Sequence, residues 1–423
     1  MGMSALEKPA LQALIAPRSI DEFYTKYWPD KSRYFVSHGE PARLPAFLRS
    51  QELSSFDALA HANQGKVAFT NGAKSSYMLP TDTASSEYLF KMGLTVFFAD
   101  ITPDIPGAAD FVRQLEADLG INPGATLVTA WASPAKSGAA AHYDAYDIIS
   151  IQLQGVKRFE LAPVRELAEP YATQYTPGTP FADDLYPQMT AGFPDWREAE
   201  FEAVEMRPGS VLCFRRGMWH RTYASGDSLA VTLVIRPPTA ADFILQQLRL
   251  VLLQHPQWRR PLYGVWGSGD ERDAALAQAV RLIKEIPSAA AAISVRDLVL
   301  PTLPETQRLT LIDQDSRFQR VPGTGVDYDE PKGPRGGELQ WVRITIKDEH
   351  GTVRTRSSIE IPPPCLDMVD WLGKQRAPFA ARALQSMFPA VPPVEQLHLL
   401  ETCTRGGLLK LLWFSGSDST EGR

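Results

Sequence analysis

The feature that most limits what this chain can fold into is a series of short apolar segments, rich in β-branched residues, between positions 126 and 235. Thr126–Trp131, Ile148–Leu153, Arg158–Leu161, Val211–Phe214 and Leu229–Ile235 are each of strand length, and Gly, Pro and Ser turns separate them. Strands this short and this close together predict a mainly β core of sandwich or jelly-roll type, the architecture of the cupins. Thr95–Phe98 is a further strand. Upstream, Ser19 caps a helix running through Tyr24 and Tyr27 to Pro29. A second helix, Ala108–Leu119, sets Phe111, Leu115 and Leu119 on one face before Gly120 ends it. Residues 163–200 form a connection with six prolines. So long a loop in a compact β domain is usually functional, which makes Tyr171, Tyr175, Asp183, Asp184 and Tyr186 candidate lid or substrate contacts.

After Pro237-Pro238 the period becomes helical. Phe243–Gln254 is apolar on nearly every side, so it must be buried inside the chain or against another one. With the amphipathic stretch Asp270–Glu285 it reads as a dimerising linker. Residues 339–347 and 352–361 predict a hairpin around Glu349-His350-Gly351, followed by helices over 366–373, 377–387 and 393–404 and a strand at Leu408–Phe414. That order suggests a winged-helix-like unit. The expected division is 1–239 for the catalytic β domain with its N-terminal α+β elements, 240–290 for the helical dimerisation region, and 291–423 for the winged-helix-like domain.

Composition narrows the function. Hydrophobic residues at 44% and charged residues at 22% describe a globular protein, and 423 residues exceed one ordinary domain. The net charge is −6, and residues 289–423 carry 16 Lys and Arg against 17 Asp and Glu. A module that reads DNA should be basic, so direct DNA binding is not expected. Cys213, Cys365 and Cys403 are far apart and odd in number, which excludes a disulfide framework and points to a reducing, cytoplasmic setting. The first residues show no signal-peptide pattern, and no apolar run is long enough to span a membrane.

The chemistry centres on His142-Tyr143-Asp144. Alternate residues of a strand share a face, so this imidazole and this carboxylate can converge on one metal. Such a pair is weak by itself in a chain with seven histidines. Its context is the segment Met206–His220: Pro208-Gly209 turns the chain, Val211–Phe214 is a strand, Gly217 turns it again, and His220 opens the returning strand. Two imidazoles and one carboxylate on one face of an octahedron leave three positions open, the arrangement of non-haem Fe(II) oxygenases. A 2-oxo acid would fill two of them and O2 the third. His38, His61, His255, His350 and His398 lack partners and read as ordinary residues.

Gly155-Val156-Lys157 lies at the hairpin after Ile148–Leu153. A lysine inside the barrel could pair with the distal carboxylate of 2-oxoglutarate, because a buried carboxylate needs a counter-charge. Lys157 lies fifteen residues beyond His142, and a straight strand to the turn would span roughly 33 Å. The chain must therefore bend near Ala145-Tyr146 if both are to serve one site.

The segments HYDAYDIISIQLQGVKRFELAP and MRPGSVLCFRRGMWHRTYASGDSLAVTL, with FYTKYWPDKSRYF near the N-terminus, resemble the JmjC-type cupins of the ribosomal-oxygenase-like branch. The likeness covers residues 15–240 well and the remainder loosely. It implies a double-stranded β-helix in which His142, Asp144 and His220 bind Fe(II) and Lys157 holds the 5-carboxylate of 2-oxoglutarate. Members hydroxylate amino-acid side chains in proteins, typically ribosomal, and often dimerise through helices after the barrel. Relatives often carry Asn and Tyr on the strand before the His-x-Asp. Val128 and Ala130 are expected at those positions here, with Thr129 and Trp131 alongside as candidate cosubstrate contacts.

The leading expectation is a dioxygenase that uses Fe(II), 2-oxoglutarate and O2 to hydroxylate a side chain of a protein or peptide. N-methyl demethylation and the modification of a peptide precursor use the same cofactors, and release of formaldehyde would mark the former. A non-enzymatic metal-holding cupin regulator is the reading from a different class.

Overall fold

The computed structural model describes residues 8–28, 33–70, 78–171, 174–178, 183–300, 303, 305–328, 339–347 and 352–412. The chain divides into two compact units, Met1–Pro238 and Thr239–Arg423.

The first unit begins with helices α1 (Pro9–Ile15) and α2 (Ile20–Lys26), strand β1 (Phe35–His38), helix α3 (Phe56–Ala62), strands β2 (Val67–Thr70) and β3 (Leu79–Thr81), helix α4 (Thr83–Lys91), strand β4 (Thr95–Phe98) and helix α5 (Ala108–Leu119). The Ser19 hydroxyl accepts the backbone N–H of Glu22 and so caps α2, which ends at Lys26, a turn earlier than expected. Eight strands follow: β5 (Thr126–Ser133), β6 (Gly138–His142), β7 (Asp147–Gln154), β8 (Lys157–Pro163), β9 (Glu202–Met206), β10 (Ser210–Phe214), β11 (Met218–Ala224) and β12 (Ser228–Ile235). They form two facing antiparallel layers. The larger sheet has the order β1-β10-β7-β12-β5-β4-β2-β3, and the smaller β6-β11-β8-β9. This interleaving of consecutive strands between two sheets is the double-stranded β-helix of the cupins.

The period-2 pattern explains the layering. Val128, Ala130 and Ala132 of β5, Ile149 and Ile151 of β7, and Leu229, Val231, Leu233 and Ile235 of β12 turn outward into a core shared with the N-terminal helices. The alternate residues, Thr129 and Trp131, Ile148 and Ser150, and Ala230, Thr232 and Val234, line the cavity between the sheets. Strand β12 lies between β5 and β7 and is buried along its whole length, which is why it reads as a nearly continuous apolar run broken only by Thr232 after Ser228.

The second unit holds helices α6 (Ala240–Leu252), α7 (Pro256–Arg259), α8 (Asp270–Ile283), α9 (Ile286–Ala291), α10 (Val295–Val299) and α11 (Glu305–Thr310). Strands β13 (Arg317–Arg320), β14 (Thr324–Tyr328), β15 (Gln340–Lys347) and β16 (Val353–Ile361) follow, then α12 (Leu366–Lys374), β17 (Phe379–Ala380), α13 (Arg382–Met387), α14 (Pro393–Arg405) and β18 (Leu409–Leu412). Strands β15 and β16 pair as the expected antiparallel hairpin, while its turn at 349–351 lies outside the described residues. Phe414, the expected end of the last strand, does too.

One expectation needs correction. No continuous helix spans 377–387: Phe379–Ala380 pairs with β13, and α13 starts only at Arg382. Pro378 disfavours helix at Ala377, and the Phe379 ring is better served by burial with Phe318, 6.1 Å away between ring centroids. Within this chain the apolar helix α6 is only partly covered, which leaves burial against another chain as the alternative. Only Gln247 and Val251 are buried, whereas Ile244 and Leu245 are 46% and 62% exposed. Helix α8 likewise exposes Leu276, Val280 and Ile283. Among the described residues, no helix is long and apolar enough to cross a membrane.

Candidate metal centre

His142 ends β6, and His220 is the third residue of β11. The two strands pair antiparallel with His220 directly opposite His142, so the imidazole centroids lie 4.0 Å apart. Beyond β6 the chain keeps its alternation for two more residues. Tyr143 forms a two-bond bridge with Tyr175, donating to its carbonyl at 3.1 Å and accepting from its N–H at 2.9 Å, and this returns Asp144 to the inner face. The Asp144 carbonyl accepts the N–H of Gly217 at 2.9 Å, tying the second candidate ligand to the turn that delivers the third. Gly217 has φ +73°, and a Cβ there would meet the Pro170 ring at 2.9 Å, so only glycine suits this turn.

One ligand atom from each of His142, Asp144 and His220 lies within 4.8 Å of the others, and all three residues are buried. The donor set is prepared for a cation. His142 Nδ1 lies 2.7 Å from the Ala140 carbonyl and His220 Nδ1 lies 3.1 Å from that of Met218. A carbonyl only accepts, so both Nδ1 atoms carry the proton and both Nε2 lone pairs are free to coordinate. Asp144 Oδ1 is buried without a hydrogen-bond partner. Burial raises the Asp144 pKa, against the opposing pull of His142, the Tyr146 hydroxyl and Arg236. Burial, with the neighbouring His142, holds His220 well below the usual imidazole range. A divalent cation would satisfy the orphaned oxygen and favour the ionised carboxylate and the neutral imidazole together.

Lys157 shares this cavity, whose volume is about 230 Å3. The chain turns between Tyr143 and Asp147, runs along β7 in the larger sheet and crosses at Gly155-Val156 to β8 in the smaller one, so Lys157 enters from the smaller sheet opposite Ala224. The two strands do not pair, so the hairpin expected here is a crossover between the sheets, and Gly155 makes its tight turn possible. It has φ +67°, and a Cβ would sit 2.0 Å from the Asp227 carbonyl oxygen. The Lys157 side chain is 96% buried (4% exposed), and among the described residues no carboxylate pairs with it. Burial lowers its pKa to about 8.

Thr129 and Trp131 both line the cavity, Trp131 packing on Phe97 at 4.5 Å. The expectation for Val128 and Ala130 is corrected: they point away, into the core beneath the N-terminal helices. Of the residues singled out in the long connection, Tyr175 is not at a lid. It is buried against Tyr143 and Trp219, at 5.3 and 6.0 Å. Tyr171, Asp183, Asp184 and Tyr186 are exposed. Among the cavity residues that the sequence reading did not single out as part of the site are Tyr146, Gln174 and Arg236. Arg236 continues the inward series Ala230, Thr232, Val234, so alternation alone could have found it. Gln174 has no local signal, because its position follows from the Tyr143–Tyr175 bridge.

An ionic clamp supports the site from outside. Buried Asp147 accepts the Arg215 Nε and the Arg216 N–H, each at 3.0 Å, and Arg215 also donates to the Trp28 carbonyl at 2.6 Å.

Residues 118–243 match the JmjC domain family. The uncharacterised protein YxbC of Bacillus subtilis (strain 168) is 27% identical over 268 residues, which are 61% of this chain and 80% of YxbC. Among solved structures, the X-ray structure of E. coli YcfD shares 14% identity with a TM-score of 0.40, over 94% of this chain and 99% of that one. The E. coli ribosomal oxygenase YcfD with cobalt and 2-oxoglutarate shares 14% identity with a TM-score of 0.39, over 93% and 98%. The assignment rests on the family match and the barrel, not on those superpositions. Residues 118–243 match the JmjC domain family and are built as a double-stranded β-helix around a buried His-Asp-His centre.

Proposed function

We propose that this protein is an Fe(II)- and 2-oxoglutarate-dependent dioxygenase that hydroxylates a side chain of a protein or peptide, with ribosomal polypeptides among the candidate targets. The observation that carries this reading is Lys157: a buried ammonium with no described carboxylate partner, in the same cavity as three metal-ligand side chains. A buried cation without a counter-ion is costly, and a ligand carboxylate would relieve the cost. A dicarboxylate fits both ends, one for Lys157 and the other for the cation.

His142, Asp144 and His220 would hold Fe(II), which together with 2-oxoglutarate and O2 supplies the oxidising chemistry, yielding succinate and CO2. The protein's part is position and exclusion of water. The two backbone carbonyls fix the imidazole tautomers, Lys157 anchors the cosubstrate, and the Trp131 and Phe97 pair walls off the cavity. Thr129 and Trp131 are the cosubstrate contacts on β5 in this reading.

The exposed apolar faces of α6 and α8 support a homodimer, with 240–290 as the dimerisation region and 291–423 as a winged-helix-like end. Three buried free thiols fit a reducing, cytoplasmic setting. The test is anaerobic titration of Fe(II) and 2-oxoglutarate, read by the visible metal-to-ligand charge-transfer band. A band lost in His142→Ala and weakened in Lys157→Ala is expected. Well-folded, iron-loaded protein without a band would overturn the reading and leave a metal-binding cupin.

A further inference from the structure

The proposed residents of the cavity leave one charge unmatched. Fe(II) and the 2-oxoglutarate dianion cancel, and ionised Asp144, which feels Arg236, offsets only one of the two cations Lys157 and Arg236. Arg236 is the one that reaches water. Among the described residues that line the cavity it is the only exposed one, whereas the three metal-ligand residues and Lys157 are buried, so it marks the mouth. Its backbone N–H is pinned to the Ala125 carbonyl at 2.7 Å, and its guanidinium lies over the Tyr146 ring, 4.2 Å from the centroid. Tyr146 in turn stands beside Asp144. Among the described residues no carboxylate forms an ion pair with Arg236. Exposed to water, a lone guanidinium costs nothing. Once a polypeptide covers the mouth and expels that water, an unpaired charge there becomes expensive. A carboxylate from the incoming chain removes the cost through a charge-assisted pair, whereas a lysine or arginine adds repulsion.

We propose that Arg236 is a substrate-specificity residue that pairs with a carboxylate of the polypeptide to be modified, so that the site selects segments carrying Asp or Glu near the modified residue over segments that are basic there. The proposal builds on the cofactor reading above. Tyr146 holds the guanidinium plane over its ring, which suits a two-pronged contact with a carboxylate better than a mobile lysine would.

Two pools of fluorescein-labelled nonapeptides, one rich in Asp and Glu and one rich in Lys and Arg, provide the test. Anisotropy is read anaerobically with the full chain, both metal-free and loaded with Fe(II) and 2-oxoglutarate. The loaded wild type should bind the acidic pool at least tenfold more tightly than the basic pool. Arg236→Lys should keep the direction of the preference, and Arg236→Glu should reverse it. Arg113→Glu, on the exposed face of α5, should change nothing and controls for overall charge. The charge-transfer band should form in all variants, and only its midpoint should shift in Arg236→Glu, because Arg236 acts on Asp144. Equal binding of the two pools, or a preference that survives Arg236→Glu, would overturn the assignment. So would loss of 2-oxoglutarate binding in Arg236→Glu, because the cation would then serve the cosubstrate. A wild type without a band that still prefers acidic peptides through Arg236 would sink the cofactor reading and leave this one standing.

Discussion

Replacing Lys157 with methionine separates what the residue does for binding from what it costs the fold. Methionine keeps the apolar stem and much of the volume while removing the charge. Burial brings the Lys157 pKa from 10.5 to about 8. At roughly 1.4 kcal/mol per tenfold change, the protonated form destabilises the ligand-free fold by about 3 kcal/mol. The folded pKa lies below the unfolded one, so between pH 8 and 10.5 the unfolded chain binds more protons and wild-type stability rises with pH. The penalty is complete below pH 8 and gone above 10.5. Lys157→Met should therefore be about 3 kcal/mol more stable than wild type at pH 7, with the difference shrinking through that window. Its affinity for 2-oxoglutarate should fall roughly 100-fold, the usual scale for truncating one side of a buried charge pair. Urea denaturation followed by Trp fluorescence at pH 7 and pH 10, with anaerobic band titration, reads both quantities. A variant no more stable than wild type at pH 7, with its cosubstrate affinity intact, would refute the burial of an unpaired ammonium and the role drawn from it.

Other perturbations follow from the same geometry. Gly155→Ala would force a Cβ against the Asp227 carbonyl oxygen at positive φ, and should cost about 3 kcal/mol or more and weaken 2-oxoglutarate binding, as thermal melts and the band will show. Asp147→Asn leaves Arg215 and Arg216 without their shared carboxylate, and about 2–4 kcal/mol of stability should go with it, along with a measurable loss of Fe(II) affinity by competitive chelation. If α6 and α8 form a dimer interface, the double change Leu245→Glu and Val280→Glu should yield a monomer in light scattering, with the charge-transfer band unaltered; a wild type already monomeric at high concentration would remove the dimer from the reading.

The sequence was most informative where a local pattern carries the structure. The strands of the barrel follow period 2 so regularly that β5, β7, β10 and β12 fall within a residue or two of their expected limits. The convergence of His142, Asp144 and His220 was legible because two turns of recognisable chemistry frame it, at Gly209 and Gly217. What was hidden depended on long-range pairing. The assignment of Val128 and Ala130 to the cavity failed by one residue, and on a strand a one-residue error exchanges the two faces. Helix α6 looked buried because its composition cannot reveal whether the covering partner lies in the same chain. The short strand at Phe379 depends on an edge offered by β13, more than fifty residues upstream.

The bridge between Tyr143 and Tyr175 has an implication for how this site can diversify. It joins the long connection to the heart of the centre through two backbone hydrogen bonds, with the residue between two candidate ligands as the anchor. Main-chain pairing is indifferent to the identity of the neighbouring side chains. The connection therefore behaves like a cassette whose lettering can change while its seat stays fixed. Position 174 faces the cavity from that seat, so new substrate preferences could be written there without disturbing the residues that would hold the iron. Laboratory selection for altered targets would begin at Gln174.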